Sequence, residues 1–171
     1  SGLAQHVPGV DVPGGESVES VETAYFRRKL RILDEPSERE ILDSNLLGLQ
    51  RSVVVLGEPG MGKSELIGEL GRASGVAPVS APRFMLSKNP GSYVTPGHPL
   101  LIDGLDEAIA RDEKDALDRV LAQLEDAGCP RFVLSCRSRE WQSRSLRSLK
   151  EIYGVEPLVV AIEDFTRQDA N

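Results

Sequence analysis

Gly57-Glu58-Pro59-Gly60-Met61-Gly62-Lys63-Ser64 follows the spacing G-x-x-x-x-G-K-[ST], which suits the binding of a phosphate chain. Glycines at these positions let the backbone turn its N–H groups inward, as an anion-binding nest at the start of a helix. Lys63 brings a positive charge toward the β- and γ-phosphates, and the Ser64 hydroxyl is a magnesium ligand. The flanks agree with this reading. Arg51-Ser52-Val53-Val54-Val55-Leu56 is a β-branched run that ends at the first glycine, and Leu66, Ile67 and Leu70 follow at helical spacing. An accidental glycine-rich turn would have no reason to sit between a strand and a helix. The expected ligand is a nucleotide with Mg²⁺, held by Gly57, Glu58, Pro59, Gly60, Met61, Gly62, Lys63 and Ser64.

A phosphate loop needs a partner carboxylate for the metal, and Leu100-Leu101-Ile102-Asp103-Gly104-Leu105-Asp106-Glu107 supplies one. Asp103 ends an apolar run and is the expected second magnesium ligand beside Ser64. Asp106 and Glu107 stand just beyond, where a carboxylate would orient and activate a water; Glu107 is favoured over Asp106. The competing reading is an acidic surface loop, but a carboxylate directly abutting apolar residues is unusual for one. A further run ends Leu134-Ser135-Cys136-Arg137. Ligands of open α/β sheets bind beyond the carboxyl ends of the strands, so Arg137 is placed to meet a γ-phosphate through charge-assisted hydrogen bonds. The alternative is that Arg137 and Arg139 merely open a solvated helix. Arg144, Arg147 and Lys150 are assigned to solvent, and Trp141 to packing.

The elements that must position these residues alternate between strand and helix. Residues 1–17 read as a flexible lead-in and 18–171 as one domain. From Val18 to Leu33 the pattern is ambiguous, with Val21, Ala24, Tyr25 and Leu30 able to line a helix. Ser37-Glu38-Arg39-Glu40 is a capping-box start for a helix to Leu46 or Leu47. A strand at 52–56, a helix to about Ala73 stopped near Gly75, and a strand over Val76–Leu86 follow. Then come a strand at 100–103, an amphipathic helix over 112–127, a strand at 131–136, a helix at 139–150 and a last strand at 156–162. Short apolar strands without alternation predict an α/β fold with a parallel sheet covered on both faces.

The 171 residues are 40% hydrophobic and 27% charged, with a net charge of −7. That acidic balance argues against broad nucleic-acid or anionic-membrane binding. No apolar run approaches a membrane span, and the first residues have neither the basic region nor the apolar core of a secretory signal. Cys129 and Cys136 are the two cysteines, which fits a reduced, cytoplasmic interior better than a disulfide framework. Ser1-Gly2 at the start and the polar Arg167-Gln168-Asp169-Ala170-Asn171 at the end suggest a segment of a larger protein.

Taken together, Gly57–Ser64, the run from Leu100 to Glu107 and Ser135-Cys136-Arg137 resemble the NACHT-type signal-transduction ATPases with numerous domains (STAND), relatives of the AAA+ proteins, bacterial members above all. The resemblance covers about 52–165 and extends into Leu158–Thr166. It implies a three-layer P-loop NTPase fold with a five-stranded parallel sheet of order 5-1-4-3-2. It also implies Asp103 as magnesium ligand, Glu107 as catalytic acid and Arg137 as γ-phosphate sensor. The family's helical and winged-helix lid is not found in these residues, and the other domains of a parent chain, with possible self-association of the full protein, are the implied partners.

The expected activity is a slow Mg²⁺-dependent ATPase that acts as a regulatory switch through ATP and ADP. The alternative is a nucleotide-gated scaffold that binds with little or no hydrolysis. A GTPase is disfavoured because no Asn-Lys-x-Asp segment is present. Leu30 to Leu33, ahead of the loop strand, are the expected source of the adenine pocket.

Overall fold

The computed structural model describes residues 29–33, 40–58, 60–105, 116–138, 141 and 143–162. In chain order the elements are β1 (Lys29–Ile32), β2 (Glu40–Leu42), a 3-10 turn at Asp43–Gly48, β3 (Val53–Leu56), α1 (Lys63–Ser74), β4 (Val79–Ser80) and α2 (Ala81–Leu86). A second 3-10 turn at Pro90–Tyr93 leads to β5 (Leu100–Asp103), α3 (Ala116–Asp126), β6 (Phe132–Cys136), α4 (Ser143–Tyr153) and β7 (Leu158–Ile162).

The strands form one sheet in the order β2-β1-β7-β3-β6-β5-β4. β3 is parallel to both its neighbours, β6 and β7, and β5 is parallel to β6 and β4. β1 runs antiparallel to β7, and β2 antiparallel to β1. The expected five-stranded, all-parallel sheet of order 5-1-4-3-2 is therefore corrected: among the described residues the sheet has seven strands and is mixed. The cause lies in Lys29-Leu30-Arg31-Ile32, where exposed and buried residues alternate. That period of two marks a strand with one solvated face, a signal that the helical reading of Val18–Leu33 passes over. Val21, Ala24, Tyr25 and the lead-in at 1–17 lie outside the described residues.

Two further expectations give way to pairing. The helix proposed to start at Ser37-Glu38-Arg39-Glu40 is replaced, where described, by β2 and the 3-10 turn; Arg31 pairs with Glu40 and Leu30 with Ile41. Strand pairing outweighs the local capping pattern there. The strand expected over Val76–Leu86 shrinks to Val79–Ser80, with residues 76–78 irregular and Ala81–Leu86 forming α2. The Ser80 hydroxyl accepts the Arg83 N–H at 3.3 Å, so Ser80 is an N-cap and the proline after it occupies the first turn, where its missing N–H costs nothing.

The uninterrupted apolar strands are apolar because both faces are covered. Val53 and Val55 face a core with Leu66, Ile67 and Leu70 of α1, Val133 of β6 and Leu30 of β1. Val54 and Leu56 face the opposite core, with Phe84 of α2, Val120 and Leu124 of α3, and Leu149 of α4. Among the described helices, α1 packs on one face beside the 3-10 turn that carries Leu46, and α2, α3 and α4 pack on the other. α1 ends where Gly75 turns left-handed (φ 74°) and returns its N–H to Gly71 O at 2.9 Å. The returning chain passes so close that a Cβ on Gly71 would lie 2.8 Å from the Val76 carbonyl oxygen and 2.9 Å from Pro78 Cδ. Among the described residues, no helix is long and apolar enough to cross a membrane.

Candidate functional site

Strand register brings three of the sequence-derived groups to one edge. Leu56, the last residue of β3, lies opposite Cys136 on β6 and Ala161 on β7. Ile102 on β5 lies opposite Leu134 on β6. The loop leaving β3, Arg137 leaving β6 and Asp103 ending β5 therefore sit at the carboxyl ends of three adjacent strands, the edge where parallel sheets bind ligands.

The loop is tied at its start and closed by its lysine. The Gly57 N–H donates to the Cys136 carbonyl at 3.2 Å, and Met61 N–H to Glu58 O at 3.2 Å. Gly57 is buried and Glu58 exposed; Met61, partly buried, packs against the α1-side core. Gly60 and Gly62 have φ of 84° and 86°, backbone that an L side chain rarely adopts. Gly62 serves as N-cap of α1 with no side-chain cap, and its carbonyl accepts Leu66 N–H at 2.9 Å. Lys63, the first residue of α1, is only 9% exposed, and its ammonium donates to Gly57 O at 2.7 Å. Ser64, next in the first turn, is exposed. Pro59 lies outside the described residues.

The acidic arm is held by a residue that the sequence reading did not assign. Ser135 on β6 has no exposed surface. Its hydroxyl donates to Asp103 Oδ1 at 2.6 Å and accepts the Gly104 N–H at 2.9 Å. A polar side chain inside the apolar run Phe132-Val133-Leu134-Ser135-Cys136 was the available signal, because a buried hydroxyl must find partners. Asp106 and Glu107, the two candidate catalytic acids, lie outside the described residues, as do Arg139 and Thr166.

Arg137 is partly buried immediately after β6. Trp141 packs against the core on the α2–α4 face, and its indole N–H is buried with no acceptor. Arg144, Arg147 and Lys150 are exposed as expected, with Lys150 3.8 Å from Glu156. Leu30 and Ile32 are buried in the α1-side core, which leaves Arg31 and Leu33 as the exposed residues of the stretch expected to line an adenine pocket. Cys129 is exposed and Cys136 buried, and no disulfide joins them.

The donor set suits a hard cation. It consists of a hydroxyl in the first turn of α1 and a carboxylate fixed through one of its two oxygens. No group of three or more His, Cys, Asp or Glu side chains clusters among the described residues. An ion here would take most of its ligands from phosphate and water, as Mg²⁺ commonly does.

No family model matches the sequence, and no curated protein matches it significantly.

Proposed function

We propose that this chain binds ATP with Mg²⁺ and hydrolyses it slowly, as the nucleotide-dependent switch domain of a larger NACHT/STAND-like signalling protein in the cytoplasm. One observation carries the reading: the loop Gly57–Ser64 joins the tip of a central parallel strand to the N-terminus of α1, with Lys63 folded inside it. Backbone N–H groups, the positive end of the α1 dipole and an ammonium then converge on the position of a phosphate chain. Ser64 and Asp103 would hold Mg²⁺, which would supply charge neutralisation across the β- and γ-phosphate oxygens. Arg137, just beyond the end of β6 between the loop and Asp103, would hydrogen-bond the γ-phosphate, and Glu107 would accept a proton from the attacking water. Two cysteines with no disulfide between them support a reduced compartment.

The test is calorimetric titration of ATP, ADP and GTP with Mg²⁺, followed by a phosphate-release assay. ATP should bind in preference to GTP. Glu107→Gln should keep ATP affinity while slowing turnover about 10²–10⁴-fold, the reach of general-base catalysis. A clear GTP preference overturns the ATP reading, and equal turnover in Glu107→Gln and the unsubstituted chain would show that Asp106, or no side chain, activates the water.

A further inference from the structure

The last two residues of β6, Ser135 and Cys136, bond to different parts of the candidate site, and Arg137 follows directly beyond them. The Cys136 carbonyl accepts the first N–H of the phosphate loop at 3.2 Å. Arg137 leaves the strand toward the ligand edge. Ser135, between them and the acidic arm, donates to Asp103 Oδ1 at 2.6 Å and accepts from Gly104 N at 2.9 Å. Those two bonds fix both the carboxylate and the backbone just after it, where Gly104 turns through φ 81°. The geometry points to Ser135 as a positioning residue for the metal: it locks the rotamer of Asp103 so that the carboxylate's remaining lone pairs are presented to Mg²⁺. This inference rests on the nucleotide-binding reading above.

The physical case is one of preorganisation. A carboxylate at a strand tip can rotate about χ1 and χ2, and an ion that binds a mobile ligand must first order it. A hydroxyl with no exposed surface cannot exchange its partners for bulk water, so its two bonds persist. The short donor–acceptor distance fits a charge-assisted O–H···O⁻ bond. Ser135 also couples two limbs mechanically, because the strand that steers Asp103 is the one bonded to Gly57. Partners of this kind commonly govern metal affinity without touching the metal.

The experiment compares the parent chain with Ser135→Ala, Ser135→Cys and Ser135→Thr, folding being checked by circular dichroism. ATP affinity is measured by calorimetry in excess EDTA and across a Mg²⁺ titration. Ser135→Ala and the near-isosteric Ser135→Cys should raise the Mg²⁺ concentration for half-maximal enhancement about 10–100-fold, the usual cost of losing an outer-shell partner. Metal-free ATP affinity should stay within about twofold, and Ser135→Thr, which keeps the hydroxyl, should restore Mg²⁺ dependence. If neither Ala nor Cys folds, Ser135→Thr is compared with Ser135→Val, which carries the same branching without the hydroxyl. In an Asp103→Ala background, Ser135→Ala should add no further loss, because the effect runs through that carboxylate.

An unchanged Mg²⁺ titration, equal losses with and without Mg²⁺, or full additivity with Asp103→Ala overturns the positioning role while leaving nucleotide binding intact. A parent chain that binds no ATP in either buffer overturns the underlying reading and this inference with it.

Discussion

The Lys63 ammonium donates to the Gly57 carbonyl at 2.7 Å, so the lysine of the loop motif closes on the residue that begins it. Lys63 is thereby both the cation expected at the phosphates and a buried brace of the loop. A Cβ on Gly57 would come within 3.2 Å of Lys63 Cγ, which shows how closely the two ends pack.

Lys63→Ala should abolish ATP binding measured by calorimetry with Mg²⁺. It should also lower unfolding stability by about 1.5–3 kcal/mol, the range for a hydrogen bond to a charged group, with the far-ultraviolet circular dichroism unchanged. Ser64→Ala, at an exposed position, should weaken Mg²⁺-dependent binding without the stability loss. Normal ATP affinity in Lys63→Ala would end the nucleotide assignment.

Under the proposed function, Arg137 is expected to distinguish ATP from ADP. Its place beyond β6 suits a γ-phosphate that ADP lacks. Arg137→Ala should reduce affinity for a non-hydrolysable ATP analogue by about 1.5–3 kcal/mol, roughly ten- to a hundredfold, and leave ADP affinity nearly unchanged. Arg144→Ala, on the exposed face of α4, should change neither. Equal losses for the two nucleotides in Arg137→Ala would identify a structural arginine.

Gly71 is required by close approach of the backbone. A Cβ there meets the Val76 carbonyl oxygen at 2.8 Å and the Pro78 ring at 2.9 Å, and neither can move without shifting the chain into β4. Gly71→Ala should therefore destabilise by about 1–3 kcal/mol, the usual cost of overpacking, despite alanine's better helix propensity. Denaturant unfolding reads the difference, and a stabilised Gly71→Ala would refute it.

Tyr153 makes the fold sensitive to alkali. Burial, and secondarily the charge of Cys129, pushes its phenol well above the ordinary value. Its hydroxyl donates to Pro130 O at 2.8 Å, and its ring packs edge-on against Phe132 with centroids 5.5 Å apart. Because the folded-state pKa is the higher one, the contribution is complete below about pH 10, the unfolded value, and declines as pH rises above it. Tyr153→Phe keeps the ring contact and loses the hydrogen bond, a cost of about 0.5–1.5 kcal/mol at pH 7. The gap between the two proteins in urea midpoint should narrow from pH 10 to pH 11. A gap that stays constant or widens would show that the phenol ionises freely in the folded state.

The sequence by itself determined the chemistry-bearing segments and the strands that carry them. The loop Gly57–Ser64 is a local pattern, and its backbone conformation follows from glycines at 60 and 62. Apart from Ser135 and the terminal Asp103, the runs at β3, β5, β6 and β7 are apolar because strands buried on both faces have no solvated side to mark. Tertiary structure decided what depends on pairing between distant segments. Lys29-Leu30-Arg31-Ile32 becomes a strand because β7 offers an open edge, and Glu40-Ile41-Leu42 follows because β1 then offers another. A helix-start pattern near residue 40 could not foretell this, since strand stability resides in the partner rather than in the segment. The bond from Ser135 to Asp103 spans 32 residues. A serine inside the apolar run of β6 was a signal that the sequence analysis did not read, and only the parallel register of β5 against β6 determined which carboxylate it meets.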